Sequence, residues 1–312
     1  MSDTNQKAID IKQEKFNIVG IDEKGAEKIN RESITYWQDA WRRFKENKVS
    51  MGAAILLLTI ILFTIVGPII SGHDYQFMDT DIKNQLPSTE HWFGTDNMGR
   101  DLFSRVSIGG RTSIVIGISC AFIVMIIGSI YGGLAGYLGG TIDDIMMRIV
   151  EIIGSVPYLV LIILLQLILG DGLIPLIVAM TVVAWGGTAR MVRGQVLQLK
   201  EQEFVLAEQA LGASTARIIA KHLLPNTLAL ILVQVSFKVP QYIFSEAFLS
   251  YIGLGVKPPE TSWGALASAA QPNLMFYPYQ LFFPSIFIAL TMLSFTLMGD
   301  GLTDALDPKL RK

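Results

Sequence analysis

Charge is what this sequence has least of. Only 17% of its 312 residues are Asp, Glu, Lys or Arg, against 51% hydrophobic ones, and the mean hydropathy is +0.45. That balance excludes an ordinary soluble domain of this size. The net charge of −2 and the lack of a basic patch with interleaved aromatics exclude a nucleic-acid partner. A lone cysteine, Cys120, leaves no intrachain disulfide and no thiolate metal site, and it reads as a small apolar side chain packed between helices. The three histidines, His73, His91 and His222, fall in aqueous loops, and HExxH is missing, which argues against an intramembrane protease. GxxxxGK[ST] is missing too, so no nucleotide site is expected here and the chain reads as a non-enzyme without a cofactor of its own. No internal repeat points to a secondary transporter, and no filter-like loop points to a channel.

What is present is a series of apolar runs. A helix needs about 20 residues to cross the hydrocarbon core, and six candidates lie at about 51–70, 108–131, 143–169, 173–190, 226–250 and 281–300. The expected fold is therefore an all-α membrane protein with six transmembrane helices. Its divisions read as a 1–50 cytoplasmic segment, a first span at 51–70, an extracytoplasmic segment at 71–107, a core of five spans at 108–304, and a 305–312 tail. The start carries no apolar stretch that would serve as a signal peptide. Its first 30 residues are polar enough to stay unfolded, and an amphipathic helix precedes the first span. Arg42, Arg43, Lys45 and Lys48 place that helix in the cytoplasm. Alternation then puts 190–225 inside with Arg190, Arg193, Lys200, Arg217 and Lys221, and the tail inside with Lys309, Arg311 and Lys312.

The 190–225 segment is the anomaly. Spans are normally joined by short loops, yet KEQEFVLAEQALGASTARIIAKHLLP, from Lys200 to Pro225, is polar and rich in helix formers. Phe204, Ala207, Ala210 and Leu211 make an apolar stripe beside Glu201, Glu203 and Glu208. Gly212 suits a left-handed helix end, Ser214 after Ala213 suits a cap, and Pro225 is expected to close a second short helix. Two amphipathic helices hinged at a glycine need a protein surface to dock on. Outside, residues 91–113 carry Gly94, Asp96, Gly99, Arg100, Asp101 and Arg105, which read as turn chemistry rather than a metal site. Trp92, Phe93, Leu102 and Phe103 read as the anchors of this lid, and residues 249–266 fold a second turn.

The order Ala207-Glu208-Gln209-Ala210-Leu211-Gly212 … Leu224-Pro225 resembles the EAA loop of ABC importer permeases, with Leu206 where that family usually has Glu. GTDNMGRDLFSR (94–105), Asp143 … Met147-Arg148, Ala189-Arg190 … Arg193-Gly194 and Gly253-Leu254-Gly255 … Pro258-Pro259 … Ser262-Trp263-Gly264 are similar to its dipeptide/oligopeptide (and nickel) branch, second permease type. The resemblance spans about 36–310 and implies an ABC type I importer-like fold with a cytoplasmic coupling loop. It also implies a second homologous permease in a heterodimer, two ATP-binding subunits that hold ATP and Mg, and an extracytoplasmic substrate-binding protein. The site would be a prokaryotic cell membrane.

Ionisable groups inside spans are the remaining candidates for a pathway or for interhelical pairing. Arg148 and Glu151 lie about one turn apart and read as a structural pair. Lys238 and Glu246 lie two turns apart in the fifth span, and both readings stay open for them. Asp143 and Asp144 read as solvated or helix-capping groups at the membrane edge.

Overall fold

A computed structural model describes residues 35–307. The expectations for the 1–34 stretch and for Lys309, Arg311 and Lys312 lie outside the described residues. Thr35 opens the first helix, α1 (Tyr36–Glu46), with a capping box: its hydroxyl accepts from the Gln38 N–H and its own N–H donates to Gln38 Oε1. Asp39 then pairs with Arg42 at 2.7 Å and Arg43 at 2.8 Å, while Ala40 and Phe44 turn inward. Asn47 ends α1 and caps α2 (Lys48–Ser71) through Val49 and Ser50. Tyr36 donates to the Leu306 carbonyl and Ser50 to that of Leu297, so both ends of the described chain meet.

Among the described residues five helices are long and apolar enough to cross a membrane: α2, α3 (Leu102–Leu138), α6 (Leu173–Leu199), α8 (Thr215–Tyr251) and α10 (Tyr279–Leu306). A sixth span exists only if α4 (Gly140–Gly154) and α5 (Tyr158–Leu169) count as one, and they meet at 84°. The continuous third helix expected over 143–169 is thus interrupted at residues 155–157. Its cause is local: Pro157 has no N–H to donate and disfavours a helical Val156. Short helices α7 (Glu203–Ala210) and α9 (Trp263–Ala270) lie at opposite ends.

Close approach of α3 and α6 builds the centre. Gly128, Gly132 and Gly136 recur every fourth residue on α3, and a Cβ at Gly132 would fall on the Ala189 backbone. Ile116, Cys120 and Val124 of α3 pack with Leu176 and Met180 of α6 and Val239 and Ile243 of α8. Cys120 is fully buried there.

A second expectation also fails. Pro225 does not close a helix; α8 runs unbroken through it from Thr215 to Tyr251. Residues Ile218–Leu223 form a π turn, in which Leu224 N–H reaches back to the Ile219 carbonyl. That widened turn absorbs the donor Pro225 lacks, and the Asn226 amide donates to the His222 carbonyl at 2.5 Å.

Candidate functional site

The apolar contact of α7 with the permease's own spans rests on one buried residue. Val205 is fully buried against Val192, Val196, Ile218, Ile219, Leu223 and Ile231, which contributes about 1.5–3 kcal/mol. The helix is too short to bury two faces, so its neighbours point outward. Phe204 is 40% exposed, Leu206 51% and Leu211 84%, with Ala207 and Ala210 exposed between them. Glu208 is half-buried, 3.4 Å from His222 Nε2, and ties α7 to the π turn of α8. Gln209 donates to Tyr137 at 3.3 Å and Lys200 to the Gly136 carbonyl at 3.1 Å, which fastens the loop to the end of α3.

Gly212 sits at φ +78°, with no atom within 4 Å of a Cβ placed there. Its N–H donates to the Gln209 carbonyl and that of Ala213 to the Glu208 carbonyl, consuming the free carbonyls at the end of α7. Ser214 accepts from the Arg217 N–H and starts α8. Pro225 is exposed on α8, two turns beyond Arg217. The sequence reading missed Val205, because four consecutive apolar residues (204–207) do not say which one faces inward.

At the same end Asp143 is buried rather than solvated, a correction to its expected role. Arg193 Nε and Nη2 donate to its two carboxylate oxygens at 2.5 and 2.6 Å, which pins α4 to α6. Arg148 and Glu151 pair at 2.8 Å on the exposed face of α4.

At the opposite end lies a buried hub. Glu246 of α8 accepts from Ser250 at 2.7 Å, Ser262 at 2.6 Å and Ser113 at 3.0 Å. Ser262 also caps α9 by accepting from the Ala265 N–H, and Ser113 accepts from the Trp263 N–H. Trp263, fully buried, donates its indole N–H to the Val106 carbonyl. One carboxylate therefore locks α3, α8 and α9 together. Lys238 is not its partner; it lines a narrow gap with Thr188, Met191 and Gln234. The lid over this end is held by Asp96, which pairs with Arg100 at 2.7 Å and lies 3.5 Å from Arg105. Phe93 stacks on Phe283 with centroids 3.9 Å apart.

These elements have counterparts in known proteins. Residues 126–312 match the family described as binding-protein-dependent transport system inner membrane component, and 35–87 match the N-terminal TM domain of oligopeptide transport permease C. The chain belongs to that permease family. The permease is 50% identical to the oligopeptide transport system permease protein OppC of Bacillus subtilis, over 92% of this chain and 94% of that one. It is equally similar to the dipeptide transport system permease protein DppC of the same organism, over 92% and 90%. The glutathione transport system permease protein GsiD of Escherichia coli is 39% identical over 89% and 92%. An inward-facing structure of the MetNI methionine ABC transporter shares the fold, with a TM-score of 0.52 at 22% identity over 65% of this chain and 96% of that one. The permease is thus an integral membrane component of an ABC importer with a type I fold. Its family implies a partner permease and ATPase subunits.

Proposed function

We propose that this permease forms half of a pathway for di- and oligopeptides, paired with a second homologous permease. An extracytoplasmic binding protein delivers the peptide, and two cytoplasmic subunits that bind ATP and Mg power the cycle. The observation that carries the peptide reading is 50% identity, over nearly the whole chain, to relatives named for oligopeptide and dipeptide transport. The physical need is plain: a peptide is a zwitterion, and one charge at the bilayer centre costs at least about 2.5–3.5 kcal/mol. A water-filled passage opened alternately to each side avoids that cost.

In this reading α7 is the coupling element, held from behind by Val205 and offering Phe204, Ala207, Ala210 and Leu211 to an ATPase cleft. Glu208 and His222 make α7 and the start of α8 move together, and Gly212 with Ala213 and Ser214 sets the angle between them. A closing ATPase pair then moves α6 and α8, which flank the loop. Arg148 and Glu151 remain a local pair, Glu246 a structural hub, and Lys238 the ionisable group left for the pathway. Both termini and the α7 end face the cytoplasm.

Uptake of a radiolabelled dipeptide and a tetrapeptide by cells deleted for this chain, with and without complementation, tests the proposal. Restored peptide uptake is expected. Complementation that restores nickel uptake and leaves peptide uptake untouched would assign the other branch of the family.

A further inference from the structure

Three ligating side chains converge at the end opposite α7, and the transport reading uses none of them together. His73 follows the turn that ends α2, while His91 and Asp101 flank the lid turn before α3. One ring nitrogen of each histidine and one Asp101 oxygen lie within 4.8 Å of one another. His91 Nδ1 is 3.0 Å from Asp101 Oδ1, and the two imidazoles lie side by side, tilted by 35° with centroids 4.7 Å apart. His91 and Asp101 are buried and His73 is half-buried. We propose that His73, His91 and Asp101 bind a divalent transition metal ion of the zinc type, which fastens the end of α2 to the N-terminus of α3.

The donor set decides the class of ion. Two imidazoles and one carboxylate suit Zn²⁺ and its neighbours, whereas Ca²⁺ and Mg²⁺ require six or more oxygen ligands. Bonds of about 2.0–2.2 Å around a tetrahedral ion place ligand atoms roughly 3.3 Å apart, so the cluster closes with side-chain shifts of about 1.5 Å.

The surroundings are arranged as metal ligands require. Asp101 Oδ2 accepts from the Ser104 N–H at 2.8 Å and the Ser71 hydroxyl at 3.2 Å, leaving Oδ1 for the ion. His73 Nε2 lies 3.2 Å from the Glu90 carbonyl, which orients that ring. A pocket of about 110 Å³, lined by Ser71, Glu90, Trp92 and Asp101 but by neither histidine, opens on the Asp101 side of the cluster and is large enough for water. This departs from the expectation that the chain holds no metal; sequence spacing scatters the three residues over 71–107 and hides their convergence.

The test uses the full chain, purified in detergent with a histidine-free affinity tag, stripped with chelator and titrated with Co²⁺. Wild type is expected to take up one equivalent with visible ligand-field absorption, which Zn²⁺ displaces. His73→Ala is the informative variant, since the Ser71–Ser104 and Asp101 capping bonds survive it. It should lose the absorption and weaken Co²⁺ by at least about tenfold, whereas His222→Ala keeps wild-type binding. Added Zn²⁺ should raise the melting temperature of wild type and of His222→Ala, but not of His73→Ala. No Co²⁺ uptake by wild type, or equal uptake by wild type and His73→Ala, overturns the proposal.

Discussion

Arg193 closes on Asp143 through two parallel charge-assisted hydrogen bonds that join positions 50 residues apart. The carboxylate is buried and the guanidinium half-buried, so loss of either leaves the other without its match in a poorly solvated place. Asp143→Ala and Arg193→Ala should each destabilise the permease by about 1.5–3 kcal/mol. Arg193→Lys should recover only part, because an ammonium cannot bind both oxygens in one plane. Melting in detergent measures this; unchanged transitions in both alanine variants would show that α4 is held by its apolar face alone.

Gly212 separates a conformational effect from a packing effect. Open space surrounds the position of its missing side chain, so a substitution there meets no neighbour. What remains is the left-handed backbone, which costs an L-residue about 1–2 kcal/mol and more when β-branched. Gly212→Val should insert normally yet transport poorly, while Gly212→Asn retains most uptake because Asn tolerates that region. Normal uptake by Gly212→Val would remove Gly212 from the coupling role.

Orientation is accessible through cysteine labelling, because the native Cys120 is fully buried and silent. A Cys at Ser214 should escape an impermeant thiol reagent added to intact cells. One at Met275, 89% exposed near the Glu246 hub, should react. The reverse pattern would invert the proposed topology.

The parts of the fold that were legible in the sequence rest on local signals. Apolar runs mark α2, α3, α6 and α10, because hydropathy summed over a helix length tolerates individual exceptions. The break between α4 and α5 was missed since hydropathy continues straight through Gly154–Pro157. Pro225 was misread because proline reads as a stop, and the π turn that accommodates it has no composition of its own. Asp143 was read as solvated or helix-capping because nothing near it in sequence announces Arg193. Glu246 stood out as an ionisable residue within an apolar run, but a search for opposite charge points to Lys238, whereas its three partners are serines.

That serine-lined carboxylate makes a prediction of its own. All three hydroxyls donate to Glu246, and two of them accept backbone N–H groups in turn, so their orientations are committed. Glu246→Gln replaces an acceptor oxygen with a donor and sets one hydroxyl against an amide N–H. It should cost about 1–3 kcal/mol, and Glu246→Ala, which orphans all three, should cost more. Trp263 fluorescence reports the result, since Ser113 holds its backbone N–H. An unshifted Trp263 emission and unchanged melting in Glu246→Ala would mean that the hub is not what positions α9.

In the proposed coupling role of α7, the surface offered to the ATPase follows from which side of the helix is already occupied. An apolar stripe in water gains nothing unless protein covers it, and Val205 alone among its apolar residues is covered. Phe204, Leu206 and Leu211 stay exposed, and burying Phe204 fully would add about 1.5–3 kcal/mol to a docked complex. Small Ala207 and Ala210 let a groove wall approach closely, and Glu201 and Glu203 flank them with negative charge. A rival surface exists on the first turns of α8, where Arg217 and Lys221 are exposed. Crosslinking separates the two. A Cys at Ala207 or Ala210 is expected to crosslink to the ATPase near its nucleotide cleft, with a yield that changes when nucleotide is added. Leu211→Ser should weaken coupling of ATP hydrolysis to uptake without lowering the melting temperature, whereas Val205→Ala should lower both. Crosslinks formed only from Cys at Arg217 or Lys221 would move the contact to α8 and leave α7 as its buttress.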